Sequence, residues 1–163
     1  MSVTEPFTLR DARGQDRTDA VAVTLAAYEQ YAAYMPTWAW KRYREDIVET
    51  LEKPGDGEHI VAEQNGALVG SVLLLTPKSD EPEVRLLAVA PPARGQGIGA
   101  ALMQACIQRA RQAGYPSLAL HTADVMAIAM HMYEQMGFVR ALELDFSPLQ
   151  GALIKGYRLA LAP

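Results

Sequence analysis

The sequence lacks several features that would narrow its function at once. A single cysteine among 163 residues excludes an internal disulfide, and it forms no zinc-binding spacing with the three histidines. No apolar run approaches the ~18 residues that cross a bilayer. The first sixteen residues contain no basic segment followed by an apolar core, so we expect no secretory signal. These absences predict a cytoplasmic protein that binds neither membrane nor metal.

The charge balance disfavours nucleic acid as a partner. Fifteen Lys and Arg residues face nineteen Asp and Glu residues, and the net charge is −4 with both signs mixed along the chain. Phosphate backbones require a clustered positive surface. Half of the residues are hydrophobic and 21% are charged, which excludes disorder for most of the chain. The length predicts one domain over residues 1–163.

The N-terminal third is predicted to be mostly helical. A short strand over residues 7–10 precedes a helix that begins near Asp16, where Asp19 indicates a cap. Apolar residues recur every three or four positions up to Met35, so we expect this helix to run that far and to end at Pro36. A second amphipathic helix follows and ends before a Pro-Gly-rich turn.

The middle of the chain changes to a strand pattern. Residues 59–63 and 68–75 are rich in Val, Ile and Leu, and Asn65-Gly66 between them is typical of a hairpin turn. Residues 77–82 are predicted to form a polar turn, and residues 84–89 a third strand. Alternating strands and helices then follow, which predicts a mixed α/β sheet covered by helices. The later predicted elements are a helix closed by Gly114, a strand over 117–122, a helix over 125–136, and strands over 138–146 and 153–161.

A glycine-rich loop opens the helix after the third strand, an arrangement that binds phosphate groups at free backbone amides. A P-loop requires Lys and then Ser or Thr, and Ala100-Ala101 excludes it. A dinucleotide fingerprint fits Gly95-x-Gly97-x-x-Ala100 formally, but no carboxylate ends the next strand to hold a ribose. A glycine turn that merely caps the helix remains the structural alternative.

The pattern Arg94-x-x-Gly97-x-Gly99 supports a third interpretation. In the segments VRLLAVAPPARGQGIGAALM and MYEQMGF, the chain resembles the GNAT superfamily of acyl-CoA-dependent N-acetyltransferases, from about Glu83 to Phe138. The resemblance implies a mostly antiparallel, twisted sheet of about seven strands with four helices. It also implies acetyl-CoA as co-substrate and a homodimer.

The resemblance further implies which residues hold the cofactor. In the family, loop amides clamp the pyrophosphate, and a splayed strand pairs with the pantetheine arm. The implied strand residues are Leu87, Ala88 and Val89, and the implied loop residues are Arg94, Gly95, Gln96, Gly97, Ile98, Gly99 and Ala100.

Acyl transfer to an amine needs a base, a stabilised oxyanion and a proton for the leaving thiolate. Tyr133 matches the family position whose phenol lies near the thioester sulfur, so it is the candidate acid, although its helical spacing also fits the core. Glu83 is the candidate base; a solvated residue at a strand start is the alternative. His121 is an alternative base.

Other residues carry weaker signals. Glu143 and Asp145 are predicted to share one face of a strand, where they either hold a cationic amine or form its solvated side. Met126 stands where many relatives have a cofactor-contacting Asn, and it cannot make that hydrogen bond. Cys106 is predicted to pack in the core. The aromatic residues between Tyr28 and Tyr43 are expected to line the acceptor pocket, to fill the core or to cover a dimer interface.

These patterns predict an enzyme that moves an acetyl group from acetyl-CoA to a primary amine by direct attack. The acceptor is either a small molecule or a protein. Two alternatives stay open: a non-catalytic acyl-CoA sensor, which needs neither Tyr133 nor Glu83, and an O-acyltransferase, which needs a stronger base.

Overall fold

Seven strands form one mixed sheet in the computed structural model, which describes residues 5–76, 81–149 and 151–161. Four α-helices cover the sheet, which confirms the predicted fold class. The strands are β1 (Thr8–Asp11), β2 (Glu58–Gln64), β3 (Ala67–Leu75), β4 (Glu83–Val89), β5 (Ser117–Thr122), β6 (Val139–Arg140) and β7 (Lys155–Ala160), in the spatial order β1-β2-β3-β4-β5-β7-β6. The helices are α1 (Arg17–Tyr28), α2 (Thr37–Glu52), α3 (Ile98–Gln112) and α4 (Ala127–Gln135).

Neighbouring strands run antiparallel except for β4 and β5, which are parallel. The predicted hairpin joins β2 to β3. Asn65 and Gly66 have φ angles of 54° and 76°, the positive values that a tight two-residue turn requires at both central positions. The parallel pair needs a long crossover, and the glycine loop together with α3 supplies it.

The two faces of the sheet are buried by different helices. Val72 and Leu74 of β3 pack in the larger core with residues of α3 and α4, and we call this side the α3 face. Leu73 between them points to the opposite side and packs with Ile47 and Leu51 of α2. We call that side the α1 face, because α1 residues pack there as well. The alternation of β3 side chains thus separates the two cores.

The prediction that the first helix continues to Met35 was wrong. The α-helix ends at Tyr28, and a 3₁₀ helix over Glu29–Tyr34 follows it. Met35 is extended, with φ −142° and ψ 157°, because a residue before proline is disfavoured in helical conformation. The predicted start was correct, but Asp16 caps nothing in α1 with its side chain. Its carboxylate instead accepts from Arg10 and from the backbone N–H of Arg13.

The predicted strand over residues 138–146 was also wrong in most of its length. Only Val139–Arg140 pairs with β7, and a 3₁₀ turn over Leu142–Leu144 follows. Asp145 explains the break, because its carboxylate binds the Gly156 N–H (2.7 Å) that a longer ladder could use. A 3₁₀ turn over Asp124–Met126 likewise replaces the first turn predicted for the last helix.

The predicted turn over residues 77–82 falls mainly on residues 77–80, which lie outside the described residues. Within the ranges that the structure describes, no helix combines the length and the apolar character needed to cross a membrane. One domain over residues 1–163 stays a prediction.

Candidate active site

The parallel strands β4 and β5 separate soon after they meet. Their register contains only two pairs, Glu83 with Ala119 and Val84 with Leu120. Beyond Val84, β4 no longer pairs with β5. Leu86 explains the divergence, because its φ of +54° marks a bulge at which the β3–β4 register also shifts. The result is a gap at the centre of the sheet.

Backbone groups of β4 line this gap. The Ala90 N–H donates to the Val69 carbonyl of β3 (2.8 Å). Along an antiparallel strand the backbone N–H and C=O groups of successive residues point alternately to one side and the other, so those of Val89 point away from β3. The Leu87 carbonyl also points away from β3, since it accepts a hydrogen bond from the Tyr28 hydroxyl (2.9 Å). By the same alternation, Ala88 turns its groups toward β3. Two of the three predicted pantetheine residues thus present backbone groups to the gap.

The predicted phosphate loop leads directly into α3. Gly97 precedes the helix with φ +84°, in the left-handed region that glycine adopts without strain. The Ala101 N–H makes the first intrahelical bond, to the Gly97 carbonyl. The amides of Ile98, Gly99 and Ala100 therefore lie in the first turn without intrahelical acceptors. Ile98 is 1% exposed and belongs to the core, so its side chain is not available to an anion.

Two loop side chains connect the loop to neighbouring elements. A guanidinium N–H of Arg94 donates to the Ala27 carbonyl near the end of α1 (3.3 Å). The Gln96 side chain accepts from the Gln64 amide at the end of β2 (2.7 Å). Gly95, with φ +80°, lies between them, and a Cβ there would meet nothing within 4 Å. The loop thus surrounds open space beside the first turn of α3.

Tyr133 lies on the α3 face. Its ring packs in the larger core and meets Phe138 edge to face at 6.1 Å between centroids. Burial raises the pKa of the Tyr133 phenol well above its usual value, and Tyr31 and Cys106 raise it further. The phenol therefore keeps its proton at neutral pH, as a proton donor must. Cys106 is buried as predicted, and burial raises its pKa to about 12, so the thiol is inert.

Sequence reasoning missed the specific roles of two aromatic residues. Tyr28 ends α1 and binds the Leu87 carbonyl, and its ring meets Tyr31 at 5.9 Å. Burial raises the pKa of Tyr28 well above its usual value, with smaller contributions from Tyr43 and Tyr133. Tyr31 of the following 3₁₀ helix thus packs against the tyrosine that binds the β4 edge. The family resemblance implied that these aromatic residues form a wall of the acceptor pocket, with the core and a dimer interface as alternatives, and it did not give the bond from Tyr28 to Leu87.

The two candidate bases form a pair on the α1 face. Glu83 Oε1 lies 2.7 Å from His121 Nδ1, and His121 Nε2 lies 2.9 Å from the Leu144 carbonyl oxygen. Glu83 pairs with Leu75 across the β3–β4 ladder, and Leu75 packs on the α1 face. The next residue, Val84, packs on the α3 face, so the Glu83 side chain lies on the α1 face. The candidate acid packs in the core of the α3 face, and the paired bases therefore lie on the opposite side of the sheet.

Glu143 and Asp145 do not share a strand face. Glu143 pairs with Arg158, which lowers the pKa of its carboxyl. Asp145 pairs with Arg140 (2.7 Å), and that arginine together with the Gly156 N–H holds the Asp145 pKa well below its usual range. Both negative charges are thus compensated within the protein, which weakens their proposed role in holding a cationic amine.

The donor set of the gap and loop fits acetyl-CoA. Free helix amides suit a pyrophosphate, and the β4 edge suits the amides of a pantetheine arm. Thr122 lies on β5 two residues beyond the last β4–β5 pair, and its buried hydroxyl has no hydrogen-bond partner among the described residues. A polar group that enters the gap would satisfy it. Within the described ranges, no three His, Cys, Asp or Glu side chains are grouped to hold a metal ion.

Comparison with known proteins identifies the family. The model of the acetyltransferase (GNAT) family matches residues 24–138, more than two thirds of the chain. This chain belongs to the GNAT family. Acetyl-CoA is the co-substrate of the family, as the sequence predicted.

Individual relatives agree with this assignment. The chain is 36% identical over 89 residues to the mycothiol acetyltransferase of Nocardia farcinica, covering 55% of this chain and 27% of that protein. It is 38% identical over 87 residues to N-acetyltransferase family 8 member 2 of Rattus norvegicus, covering 50% and 38%. The chain thus spans well under half the length of these two relatives.

A solved structure shows the same fold over nearly the whole chain. The PaiA N-acetyltransferase of Thermoplasma acidophilum in complex with coenzyme A superposes with a TM-score of 0.72 at 15% identity, covering 94% of this chain and 99% of that one.

Proposed function

We propose that this protein transfers the acetyl group of acetyl-CoA to a primary amine by direct attack. One observation carries the proposal: β4 and β5 separate after two pairs, with a buried phenol packed on one face of the sheet and a carboxylate–imidazole pair on the other. A thioester entering from the α3 face and an amine entering from the α1 face would meet in this gap.

Each group has one task in the proposed reaction. Glu83, directly or through a water molecule, takes a proton from the amine, whose nitrogen then bonds to the thioester carbonyl carbon. Backbone N–H groups of β4 at the gap stabilise the resulting oxyanion. As the carbon–sulfur bond breaks, Tyr133 donates its proton to the departing thiolate. The products are the acetamide and the free thiol of CoA; Glu83 then releases its proton to solvent, and solvent returns one to Tyr133.

Binding rather than charged side chains supplies much of the catalysis in this proposal. Loop residues from Arg94 to Ala100 would hold the pyrophosphate, and Leu87 and Val89 would align the pantetheine arm. When both reactants are held in one gap, a bimolecular encounter in solution becomes a reaction between oriented groups within one complex. The acceptor remains a small-molecule or protein amine, and the homodimer stays a prediction.

The test is acetyl transfer to pooled primary amines. We would measure release of the CoA thiol and identify the acetylated product by mass spectrometry, with matched pools of alcohols in parallel. Turnover with amines and none with alcohols is the expected result. Turnover with alcohols alone would show O-acylation instead, and tight acetyl-CoA binding without turnover in either pool would favour a sensor.

A further inference from the structure

We propose that His121 is a positioning residue that fixes the orientation of the Glu83 carboxylate, and that it is itself fixed by the carbonyl of Leu144. The inference rests on the proposed function, because Glu83 is the base of that reaction. It assigns His121 a role distinct from that of a base, since its two ring nitrogens are both occupied by protein oxygens.

Strand register brings the two residues together. Glu83 is the first residue of β4 and is paired with Ala119 of β5. His121 lies two residues beyond Ala119, so its side chain leaves the same face of the sheet as that of Glu83. The imidazole thus reaches Glu83 from the adjacent strand, at 2.7 Å from Nδ1 to Oε1.

The hydrogen-bonding capacities of the partners define the contact. A carbonyl oxygen only accepts, so His121 Nε2 must carry a proton to bind Leu144. The 2.7 Å contact between Nδ1 and Oε1 also needs one proton, held either by the ring or by the carboxyl group. Both ring nitrogens are thus engaged by protein oxygens, so the ring has no free lone pair for a proton from the amine. The imidazole ring does hold Oε1 of Glu83, so Oε2 is the oxygen that can receive the proton of the amine.

The anchor on Leu144 is itself rigidly held. Leu144 ends the 3₁₀ turn after β6, and the next residue, Asp145, binds both Arg140 and the Gly156 N–H at 2.7 Å. Gly156 is required here, because a Cβ at this position would overlap the Cβ of Leu144. Arg140 also donates to the Gly156 carbonyl (2.9 Å).

Aromatic packing completes the arrangement. The Phe146 ring meets the His121 ring edge to face, with 5.3 Å between centroids. His121 is therefore restrained by two hydrogen bonds and by one aromatic contact. Restraint of this kind lets a carboxylate act in one orientation without reorganising during the reaction.

The test compares His121→Asn with His121→Gln. Asparagine places an amide N–H near the position of Nδ1 and keeps the contact with Glu83, whereas glutamine reaches toward the position of Nε2 and keeps the contact with Leu144. We expect His121→Asn to retain kcat within ~10-fold and His121→Gln to lose ~100-fold, the scale of a displaced general base. KM for acetyl-CoA should stay within ~3-fold in both variants, because neither touches the phosphate loop.

A double-mutant cycle provides the second measurement. If His121 acts through Glu83, Glu83→Gln combined with His121→Gln should be no slower than Glu83→Gln alone. Multiplied losses, or equal kcat in the Asn and Gln variants, would overturn the inference. Wild-type protein that acetylates no amine would overturn the proposed function, and this inference with it. Active wild type with full activity in His121→Gln would overturn the inference alone.

Discussion

The hydroxyl of Tyr28 donates a hydrogen bond to the carbonyl oxygen of Leu87 at 2.9 Å. The two residues belong to the last turn of α1 and to the diverging part of β4, and they lie 59 positions apart. This bond holds the end of helix α1 against the edge of β4 that borders the gap. It also orients the 3₁₀ helix that carries Tyr31, whose ring packs against Tyr28.

Replacing Tyr28 by Phe should remove this bond while keeping the ring. We expect a loss of about 1 kcal/mol in the free energy of unfolding, the usual net value of one hydrogen bond, measured by urea denaturation. Tyr34→Phe is the matched control, because Tyr34 is 71% exposed and should stay within ~0.5 kcal/mol of wild type. Equal stability of the two variants would mean that the Tyr28 bond contributes nothing.

Tyr133→Phe tests the acid of the proposed reaction. We expect kcat to fall ~100-fold while the dissociation constant for acetyl-CoA, measured by calorimetry, stays within ~3-fold. Tyr115→Phe, which also removes a hydroxyl from a tyrosine packed against the larger core, should leave kcat unchanged. If Tyr133→Phe keeps full activity, the tyrosine is only a core residue.

Gly97→Ala tests the start of α3. The φ of +84° at Gly97 strains any residue with a Cβ, at about 1–2 kcal/mol, so the variant should shift the amides that follow it. We expect KM for acetyl-CoA to rise at least ~10-fold. Gly14→Ala, at an exposed position where a Cβ would meet nothing within 4 Å, should leave KM unchanged. An unchanged KM in Gly97→Ala would exclude the loop from cofactor binding.

Asp16 makes the stability of the fold sensitive to acid. Hydrogen bonds from Arg10 and from the Arg13 N–H hold the Asp16 pKa well below its usual range, whereas the unfolded carboxyl titrates near ~3.9. The pair therefore stabilises the fold above that pH, and the contribution is lost as the pH falls toward the folded-state pKa.

Urea denaturation between pH 7 and pH 3 measures this contribution. Asp16→Asn should lower stability by about 2 kcal/mol at pH 7, and its deficit relative to wild type should shrink as the pH falls. Arg10→Met should show the same shrinking deficit, because it removes the main cause of the pKa shift. A deficit that does not change with pH would show that Asp16 is not responsible.

Local patterns in the sequence were enough to predict most of the helices and strands. Asn65-Gly66 predicted the hairpin because both residues tolerate positive φ, and apolar spacing predicted α2 and α3 because each buries one face. The helix start at Ile98 followed from the glycines before it. The resemblance to GNAT proteins then supplied the loop and the acid as candidates.

The errors in the prediction arose where distant contacts override local preference. The strand expected over residues 138–146 is broken because Asp145 finds Arg140 and Gly156, and apolar spacing cannot reveal that competition. The first helix ends early at Tyr28, whose hydroxyl binds the Leu87 carbonyl of a strand far along the chain.

The sequence by itself determined the turns, the helix start after the glycine-rich loop and the residue types proposed for acyl transfer, because each depends on neighbouring residues. Only the tertiary structure decided that Glu83 and His121 form one pair and that the Leu87 carbonyl faces the gap. Those relationships depend on the two-residue β4–β5 register and on the bulge at Leu86. Strand register is set by the packing of both sheet faces at once, so no local segment encodes it.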